Sequence, residues 1–507
     1  MKKTVCSTLV VIVLLMFAML ALSACSMFKS VYIKLMNGQE MIEEVSVSYG
    51  STNNYVKSNR LGDVERRQLE RNNIYIEGWY LDSGLTIPVV FDGTKLKSDT
   101  TWYAKCKDGD SNRRPLTYNY RYGSGTQSDP YLIQTPDDLD AMRYGSGLYH
   151  RLSNDIDLSN YNNVDSNNTI AQWKAIETYD GHFDGNNHTI SGFNFHNMNG
   201  VVGFITLNIG EIKNLNLNFE FSVTATKKST LSFVCDENKG TISSCSITGR
   251  VTVTNFKNIF PIRVNHTNGR ISDCSVDMQM YVRGSYDFNN LASFLTGDNF
   301  GRVSRCSVKG ILEAKDRPNT ATRYFGGISI YNQETGIIEE CHSGVKIWGY
   351  GDVTTLGSNR VWSGGIATFN YGTMQNSYYD GYICASGGYA RGAGLTAYST
   401  GYIKYCYTSA VVEQEKTMSS FTVKLAPAFI SGDSDAAQVS RCLEVIYSNS
   451  LNMDNFSNES DNSKYSSYVK KKDLYSANTF SAWNSAIWNI SYGKLPTLKS
   501  LEFIEEN

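Results

Sequence analysis

The sequence predicts a mainly β protein whose larger part is a parallel β-solenoid, and a short repeated phrase is the first observation behind this. Between residues 201 and 442 the chain repeats glycine, any residue, a branched aliphatic residue, two residues and cysteine. The clearest copies are 240–245, 269–274, 301–306, 336–341 and 401–406. The glycines at 210, 240, 269, 301, 336, 372 and 401 are 29 to 36 residues apart. A phrase that recurs at such a period indicates stacked structural repeats.

The residues between the glycines are the second observation. Val, Ile, Tyr, Phe and Thr predominate between Gly and Asn, which is typical of short strands. No stretch keeps the 3.6-residue period of an amphipathic helix. We therefore expect each repeat to form one coil of two or three strands, with coils about 4.8 Å apart. Glycine is expected where the chain bends with positive φ or passes close to its neighbour.

The third observation is that six of the eleven cysteines share one position of the repeat. Because this position follows the apolar one three residues earlier, we predict an inward-facing ladder of small buried side chains. Disulfides between neighbouring coils and a metal site are the alternatives, although no C-x2-C pair or histidine cluster accompanies the ladder. No metal and no cofactor is predicted. The ladder comprises Cys245, Cys274, Cys306, Cys341, Cys406 and Cys442.

The first 25 residues are predicted to be a processing signal. Lys2 and Lys3 precede an apolar stretch from Leu9 to Leu22 that is short for a membrane span. The stretch ends in Leu-Ser-Ala-Cys at residues 22–25, which resembles the bacterial lipobox. The resemblance implies that Cys25 is acylated and becomes the N-terminus, so that the lipid holds the protein on the extracellular face of a bacterial membrane. An ordinary signal peptide is the alternative.

Residues 26–106 are predicted to form a small β-rich module. Two alternating stretches, 31–35 and 45–49, read as strands, and Gly-Trp-Tyr-Leu-Asp at 78–82 is followed by Thr-Trp-Tyr-Ala-Lys at 101–105. These two phrases resemble the Listeria–Bacteroides repeat, the internalin-type B repeat. The resemblance implies a β-grasp-like fold and a non-catalytic surface module. Residues 107–121 are polar and are expected to be a linker.

Residues 122–500 are expected to form the solenoid and its caps. Thr135 before Pro136 and two aspartates predicts a short capping helix. Asp-Pro-Tyr-x-Ile at 129–133, Asn-Asp-Ile-Asp-Leu at 154–158 and Phe-Asp-Gly-Asn-x-His-x-Ile-x-Gly at 183–192 resemble the GLUG-motif family of bacterial surface proteins, as does 210–215. The resemblance implies a right-handed parallel β-helix, with a closing cap near residues 481–498.

The sequence contains no strong catalytic motif. No His-Glu-x-x-His, Gly-x-Ser-x-Gly or phosphate-binding loop is present. Glycosidases need two carboxylates, and a lyase would also need a basic residue to neutralise a uronate. We expect Arg270, Arg302 and Arg305 not to stack at one position, and Asp236 and Glu237 to lie solvated in a bend. The other carboxylates weighed are Asp155, Asp157, Asp184, Glu339 and Glu340.

These features favour a lipid-anchored adhesion or ligand-binding protein without catalysis. A net charge of −2 implies no nucleic-acid partner. A host or matrix protein or a glycan would contact the aromatic stretch between residues 324 and 407, since aromatic faces bind sugars and proteins. A polysaccharide-degrading β-helix enzyme, lyase or glycosidase, is the alternative, and a purely structural stalk is a third. The candidate surface residues are Tyr331, Trp348, Tyr350, Trp362, Tyr371, Tyr378 and Tyr379.

Overall fold

The computed structural model divides the described residues into two compact units, one within residues 29–108 and the other within residues 120–502. It describes residues 29–62, 64, 65, 68, 74–108, 120–144, 147–159, 161, 173, 175–193, 203–284, 290–316, 322–351, 360–416, 438–440, 442–446, 467–470 and 475–502. The signal at 1–25, with Cys25, and residues 109–119 of the expected linker lie outside these ranges. No helix in the described ranges is long and apolar enough to cross a membrane.

The N-terminal module is a mixed sheet. Its central strands Ser30–Asn37 and Thr100–Asp108 are parallel, and each has an antiparallel outer neighbour, Glu40–Ser48 and Ile74–Tyr80 respectively. A short helix, Asn53–Val56, continues into a π-helical turn, Lys57–Leu61. The β-grasp-like expectation agrees with this topology. Alternating residues make the core, which includes Val31, Ile33, Leu35, Val45, Val47, Trp79 and Trp102.

The second unit is a parallel β-solenoid, as predicted. In the described residues one face is an eleven-stranded parallel sheet. Each glycine of the repeat immediately precedes one of its strands, and the aliphatic residue two positions later is the buried centre of that strand. The strands are Tyr131–Ile133, Tyr149–Leu152, His182–Asp184, Glu211–Lys213, Thr241–Ser243, Arg270–Ser272, Arg302–Ser304, Ile337–Glu339, Thr373–Gln375, Tyr402–Lys404 and Gln438–Ser440.

The remaining faces of the solenoid form one continuous sheet of twenty-four strands within the described ranges. Corresponding strands of successive coils pair in parallel and in register. Its strands are Ile156–Asp157, Ile176–Tyr179, Thr189–Ser191, Ile205–Asn208, Asn216–Asn238, Ser246–Asn265, Ser275–Arg283, Asn290–Ser293, Thr296–Asn299, Ser307–Ala314, Arg323–Gly326, Ser329–Asn332, His342–Ser343, Lys346–Tyr350, Arg360–Gly364, Ala367–Asn370, Tyr378–Tyr379, Tyr382–Gly387, Tyr389–Ala393, Thr396–Ser399, Tyr407–Thr408, Val411–Lys416, Leu443–Ile446 and Ser467–Lys470.

Close approach between coils explains the repeated glycine. A Cβ atom on Gly240 would lie 2.1 Å from the carbonyl oxygen of Gly210, and one on Gly401 would lie 2.1 Å from that of Gly372. The positive φ of the coil occurs four residues after the glycine, where Asn214 (52°) is an example of the non-glycine residues found there. Of the two expected reasons for glycine, contact with the neighbouring coil is therefore the one that applies.

The six ladder cysteines are buried in the solenoid core, and none of the nine described cysteines is in a disulfide. Each of five Sγ atoms lies 3.1–3.4 Å from the carbonyl oxygen two residues earlier in its own coil. Burial raises the pKa of the Cys306 and Cys406 thiols well above its usual value. In this structure the ladder is a column of buried packing groups without disulfides.

A second buried column, of asparagines, was not predicted from the sequence. Amide groups of successive coils are hydrogen-bonded at 2.7–2.9 Å from Asn208 to Asn370, and Asn370 donates to Ser399 at 3.1 Å. These asparagines lie two or four residues before the repeat glycine, a signal that is visible in the sequence. The column stabilises the bend because a buried amide needs partners. Its members are Asn208, Asn238, Asn265, Asn299, Asn332 and Asn370.

Both ends of the unit carry additional elements. The helix Pro136–Ala141 begins as predicted, since the Thr135 side chain accepts from the Asp138 amide while Asp138 accepts from the Thr135 amide; the single 3-10 turn Met142–Tyr144 follows. Near the C-terminus are the 3-10 turns Ala477–Phe480 and Lys499–Leu501, and the antiparallel pair Trp488–Asn489 and Thr497–Leu498. This segment packs on the outside of the last coils, against Tyr378 and Tyr407.

Candidate functional site

The structure separates the seven predicted surface aromatics into three groups. Two of the seven residues, Tyr378 and Tyr379, are interior and make up the first group. Tyr379 is fully buried, and its hydroxyl donates to the Val345 carbonyl at 2.9 Å. Tyr378 is 6% exposed and stacks between His342 and Tyr407 beneath the C-terminal segment. The prediction that both are exposed is wrong, because Tyr379 occupies the inward position seven residues after its glycine and Tyr378 lies where the C-terminal segment packs.

A second group lies on the strand Lys346–Tyr350. Trp348 is half-buried and packs on Tyr382 with ring centroids 5.4 Å apart. The Tyr350 hydroxyl accepts from the Cys384 thiol at 3.7 Å. Trp348 and Tyr350 lie on a different strand from Tyr331 and Trp362, and we treat them as a separate surface.

The third group, Tyr331, Trp362 and Tyr371, belongs to a cluster on the outside of a bend. Phe325 and Ile328 point into the main core, whereas Tyr324 and Tyr331, on the other side of the same chain segment, contact each other with centroids 6.4 Å apart. The bend is tight, since a Cβ on Gly326 would lie 1.9 Å from the Ser329 carbonyl oxygen. The backbone therefore bends around these outward side chains and forms a concave groove on the outside of the solenoid. The groove lies between the strands Arg323–Gly326 and Ser329–Asn332 and their equivalents in neighbouring coils, and we call it the outer angle.

Two columns of side chains face each other across the outer angle. Strand pairing aligns Leu291, Tyr324, Trp362 and Arg391 in one column. It aligns Asp298, Tyr331, Phe369 and Tyr398 in the other. With a coil spacing of about 4.8 Å, four levels extend over roughly 14 Å along the solenoid. The middle of the angle is thus aromatic and its ends are charged.

Ring contacts hold the aromatic part together. Phe369 is at its centre, with centroids 4.9 Å from both Tyr324 and Tyr331 and 5.2 Å from Trp362. Trp362 is 8% exposed and Phe369 6%, so the expectation that Trp362 is exposed is wrong: its neighbours cover most of the ring. Tyr324, Tyr331, Tyr371 and Tyr398 remain partly exposed at the rim. The arrangement offers rigid ring faces and phenolic hydroxyls to a ligand.

A carboxylate cluster lies at one end of the angle. Arg263 binds Asp236 through two hydrogen bonds of 2.6 and 2.7 Å and Glu237 through one of 3.1 Å. Asp298 accepts from the Gln333 amide at 2.7 Å, and burial raises its pKa. The expectation that Asp236 and Glu237 lie solvated in a bend is wrong, because both are within the strand Asn216–Asn238 and are paired with the same guanidinium.

One chain of side-chain hydrogen bonds joins Ser307, His342 and Asp380. Ser307 Oγ is 3.0 Å from His342 Nδ1, and His342 Nε2 is 2.8 Å from Asp380 Oδ1. In nucleophilic catalysis the hydroxyl faces the substrate and the carboxylate is buried behind the imidazole. Here the order is reversed, since Ser307 and His342 are buried while the Asp380 side chain is 40% exposed. This hydrogen-bonded chain is therefore a structural contact between coils.

The remaining polar candidates lie on the eleven-stranded face or in the turns beside it. Arg270 and Arg302 pair directly across neighbouring strands, which corrects the expectation that they do not stack. Arg302 is paired with Glu339, and Arg305 binds Asp273 at 2.6 and 2.8 Å. Asp155 accepts from His188 and from the Thr189 amide, and Asp184 accepts from Asn214. In the part of the chain that is described, no group of acidic, histidine or cysteine side chains could hold a metal.

Comparison with known proteins gives limited similarity. No family model matches the chain. A protein of Evansella cellulosilytica, provisionally named a Gly-rich membrane protein, is 31% identical over 135 residues, which are 25% of this chain and 15% of that protein.

Two solved structures resemble the fold weakly. A Bacteroides ovatus protein provisionally described as an immunoglobulin A1 protease is 18% identical with a TM-score of 0.35, covering 77% of this chain and 99% of its own. A second, named IgA1 protease, is 12% identical with a TM-score of 0.34, covering 81% of this chain and 27% of its own. Neither likeness is close enough to transfer an activity to this chain.

Proposed function

We propose that this chain is a lipid-anchored bacterial surface protein that binds glycans without cleaving them. The outer angle is the single observation that carries the binding proposal. Its partly exposed tyrosines are fixed by mutual ring contacts, so their faces are ordered before a ligand arrives, and little conformational entropy is lost on binding. Sugar rings stack on such faces while their hydroxyls reach the phenolic oxygens.

The surface location rests on the sequence. The lipobox-like Leu-Ser-Ala-Cys at residues 22–25 supports attachment through Cys25. The similarity to a protein named as a membrane protein supports the same location. In this arrangement the module at 26–106 acts as a spacer and the solenoid presents the binding face.

A glycosidase is the second candidate, and the carboxylates at the end of the outer angle favour it. Glu237 and Asp298 both align with Val264 on neighbouring strands, so they are two coils apart, about 10 Å. This is close to the upper limit for an inverting pair. The engagement of Glu237 by Arg263 and His266 favours binding over catalysis.

Isothermal titration of the purified chain against oligosaccharides tests the proposal, together with a product assay on the same mixtures. The proposal predicts saturable binding without cleavage. Release of shorter oligosaccharides that is lost in Asp298→Asn would establish the glycosidase instead. Absence of binding to every glycan tested would overturn both candidates.

A further inference from the structure

The outer angle carries a cation at the end opposite its carboxylates. The Arg391 guanidinium lies over the Trp362 ring at 4.4 Å and over the Tyr389 ring at 5.2 Å. Its Nη2 donates to the Tyr389 hydroxyl at 2.6 Å. Among the described residues no carboxylate forms a salt bridge with Arg391, in contrast to Arg263, Arg302 and Arg305, which all have one. Stacking on Trp362 fixes the guanidinium without neutralising it.

The indole nitrogen of Trp362 is a second unsatisfied group in the same place. Trp362 is 8% exposed, and its Nε1 has no hydrogen-bond partner. A buried N–H without an acceptor is unfavourable, and such groups are rare in native proteins. The ring lies directly beneath Arg391 in the same column. Since the Nε1 atom itself is covered, a small shift of the ring would be needed before an oxygen of a ligand could accept from it.

The opposite end of the outer angle is acidic. Asp298 occupies the level next to Tyr331, and Asp236 and Glu237 lie beyond it. These three carboxylates can accept hydrogen bonds from sugar hydroxyls, and the single guanidinium of Arg263 offsets only part of the negative charge that would repel a sugar carboxylate. The two ends of the outer angle therefore differ: the end at Asp298 accepts hydrogen bonds, and the end at Arg391 donates them.

We propose that the outer angle binds an acidic oligosaccharide, with a sugar carboxylate at Arg391 and the Trp362 N–H and with neutral sugar hydroxyls directed towards Asp298. This inference rests on the proposed glycan binding and adds the ligand class and its direction. The four levels, roughly 14 Å long, correspond to a few sugar units. A guanidinium suits this task because it forms charge-assisted bonds with a planar carboxylate.

Matched tetrasaccharides that differ only in charge test the inference. Galacturonate, hyaluronate and alginate tetrasaccharides are each titrated against the whole chain, beside their carboxyl-reduced forms. We expect at least one acidic form to bind about tenfold or more tightly than its reduced partner, with an affinity that falls as salt is added. Arg391→Gln should remove this difference, and Arg391→Lys should restore part of it.

Arg270→Gln is the control, because Arg270 is an exposed arginine on the eleven-stranded face and has no salt bridge to a carboxylate among the described residues. It should leave the preference for the acidic form unchanged. Equal binding of the acidic and reduced forms, or a preference that survives in Arg391→Gln, would overturn the inference while glycan binding stands. Absence of binding to all six compounds would overturn the inference, and absence of binding to the other oligosaccharides tested as well would overturn the proposed function.

Discussion

At the scale of single residues, the cysteines differ in access to solvent. Cys106 and Cys384 are partly exposed, whereas the ladder cysteines are buried. Burial raises the pKa of Cys106, and it raises the pKa of Cys306 and Cys406 well above the usual value. Only the thiolate reacts with alkylating agents. We therefore predict that iodoacetamide labels Cys106 and Cys384 in the native chain and the ladder only after unfolding, as measured by mass spectrometry of peptides. Fast native labelling of Cys306 would contradict the buried ladder.

Glu65 is a second residue with a testable environment. It accepts from the Trp79 indole at 2.6 Å, and burial raises its pKa from 4.5 to about 7. Its folded-state pKa exceeds the unfolded value, so the folded state binds the proton more tightly and stability falls as pH rises from about 5 to about 7. Glu65→Gln keeps the acceptor and cannot ionise.

Calorimetry measures this effect. The unfolding temperature of Glu65→Gln minus that of the original chain should increase progressively between about pH 5 and pH 8. A difference that is the same at both values would show that Glu65 ionises in the folded module without cost.

At the scale of elements, the asparagine column is the strongest polar feature of the solenoid. Asn299→Ala leaves the Asn265 amide without its acceptor and removes the donor to Asn332. We predict a loss of about 2–5 kcal/mol in unfolding free energy, from the lost bonds and the buried unsatisfied amide. Denaturant titration measures it. Asn268→Ala is the control, since Asn268 is exposed in the adjoining turn, and an equal loss there would contradict the column's role.

The elements also show what the sequence could and could not predict. The glycine phrase located the strands of the eleven-stranded face, because contact between coils forces glycine before each one. The asparagine column is hard to recognise in the sequence because its distance to the glycine changes from two to four residues in two coils. The outer angle could not be predicted, since Tyr324 and Phe369 are 45 positions apart and meet only through strand register and a bend.

At the scale of the whole molecule, the proposed lipid anchor at Cys25 predicts where the protein resides. If Cys25 is acylated, the chain should label with radioactive fatty acid and partition into the detergent phase of Triton X-114. Cys25→Ala should abolish the labelling and shift the chain to the aqueous phase. Labelling that persists in Cys25→Ala would contradict the assignment, and Cys6→Ala, within the same leader, is the matched control.

Binding by the outer angle is the central claim, and one titration tests it most directly. The original chain, Tyr331→Ala and Trp348→Ala are titrated with the tightest-binding oligosaccharide. Both residues are half-buried aromatics in the predicted stretch, but only Tyr331 lies in the outer angle. Loss of one stacking platform should weaken binding about tenfold in Tyr331→Ala and leave Trp348→Ala unchanged. Unchanged binding in Tyr331→Ala with loss in Trp348→Ala would contradict the claim.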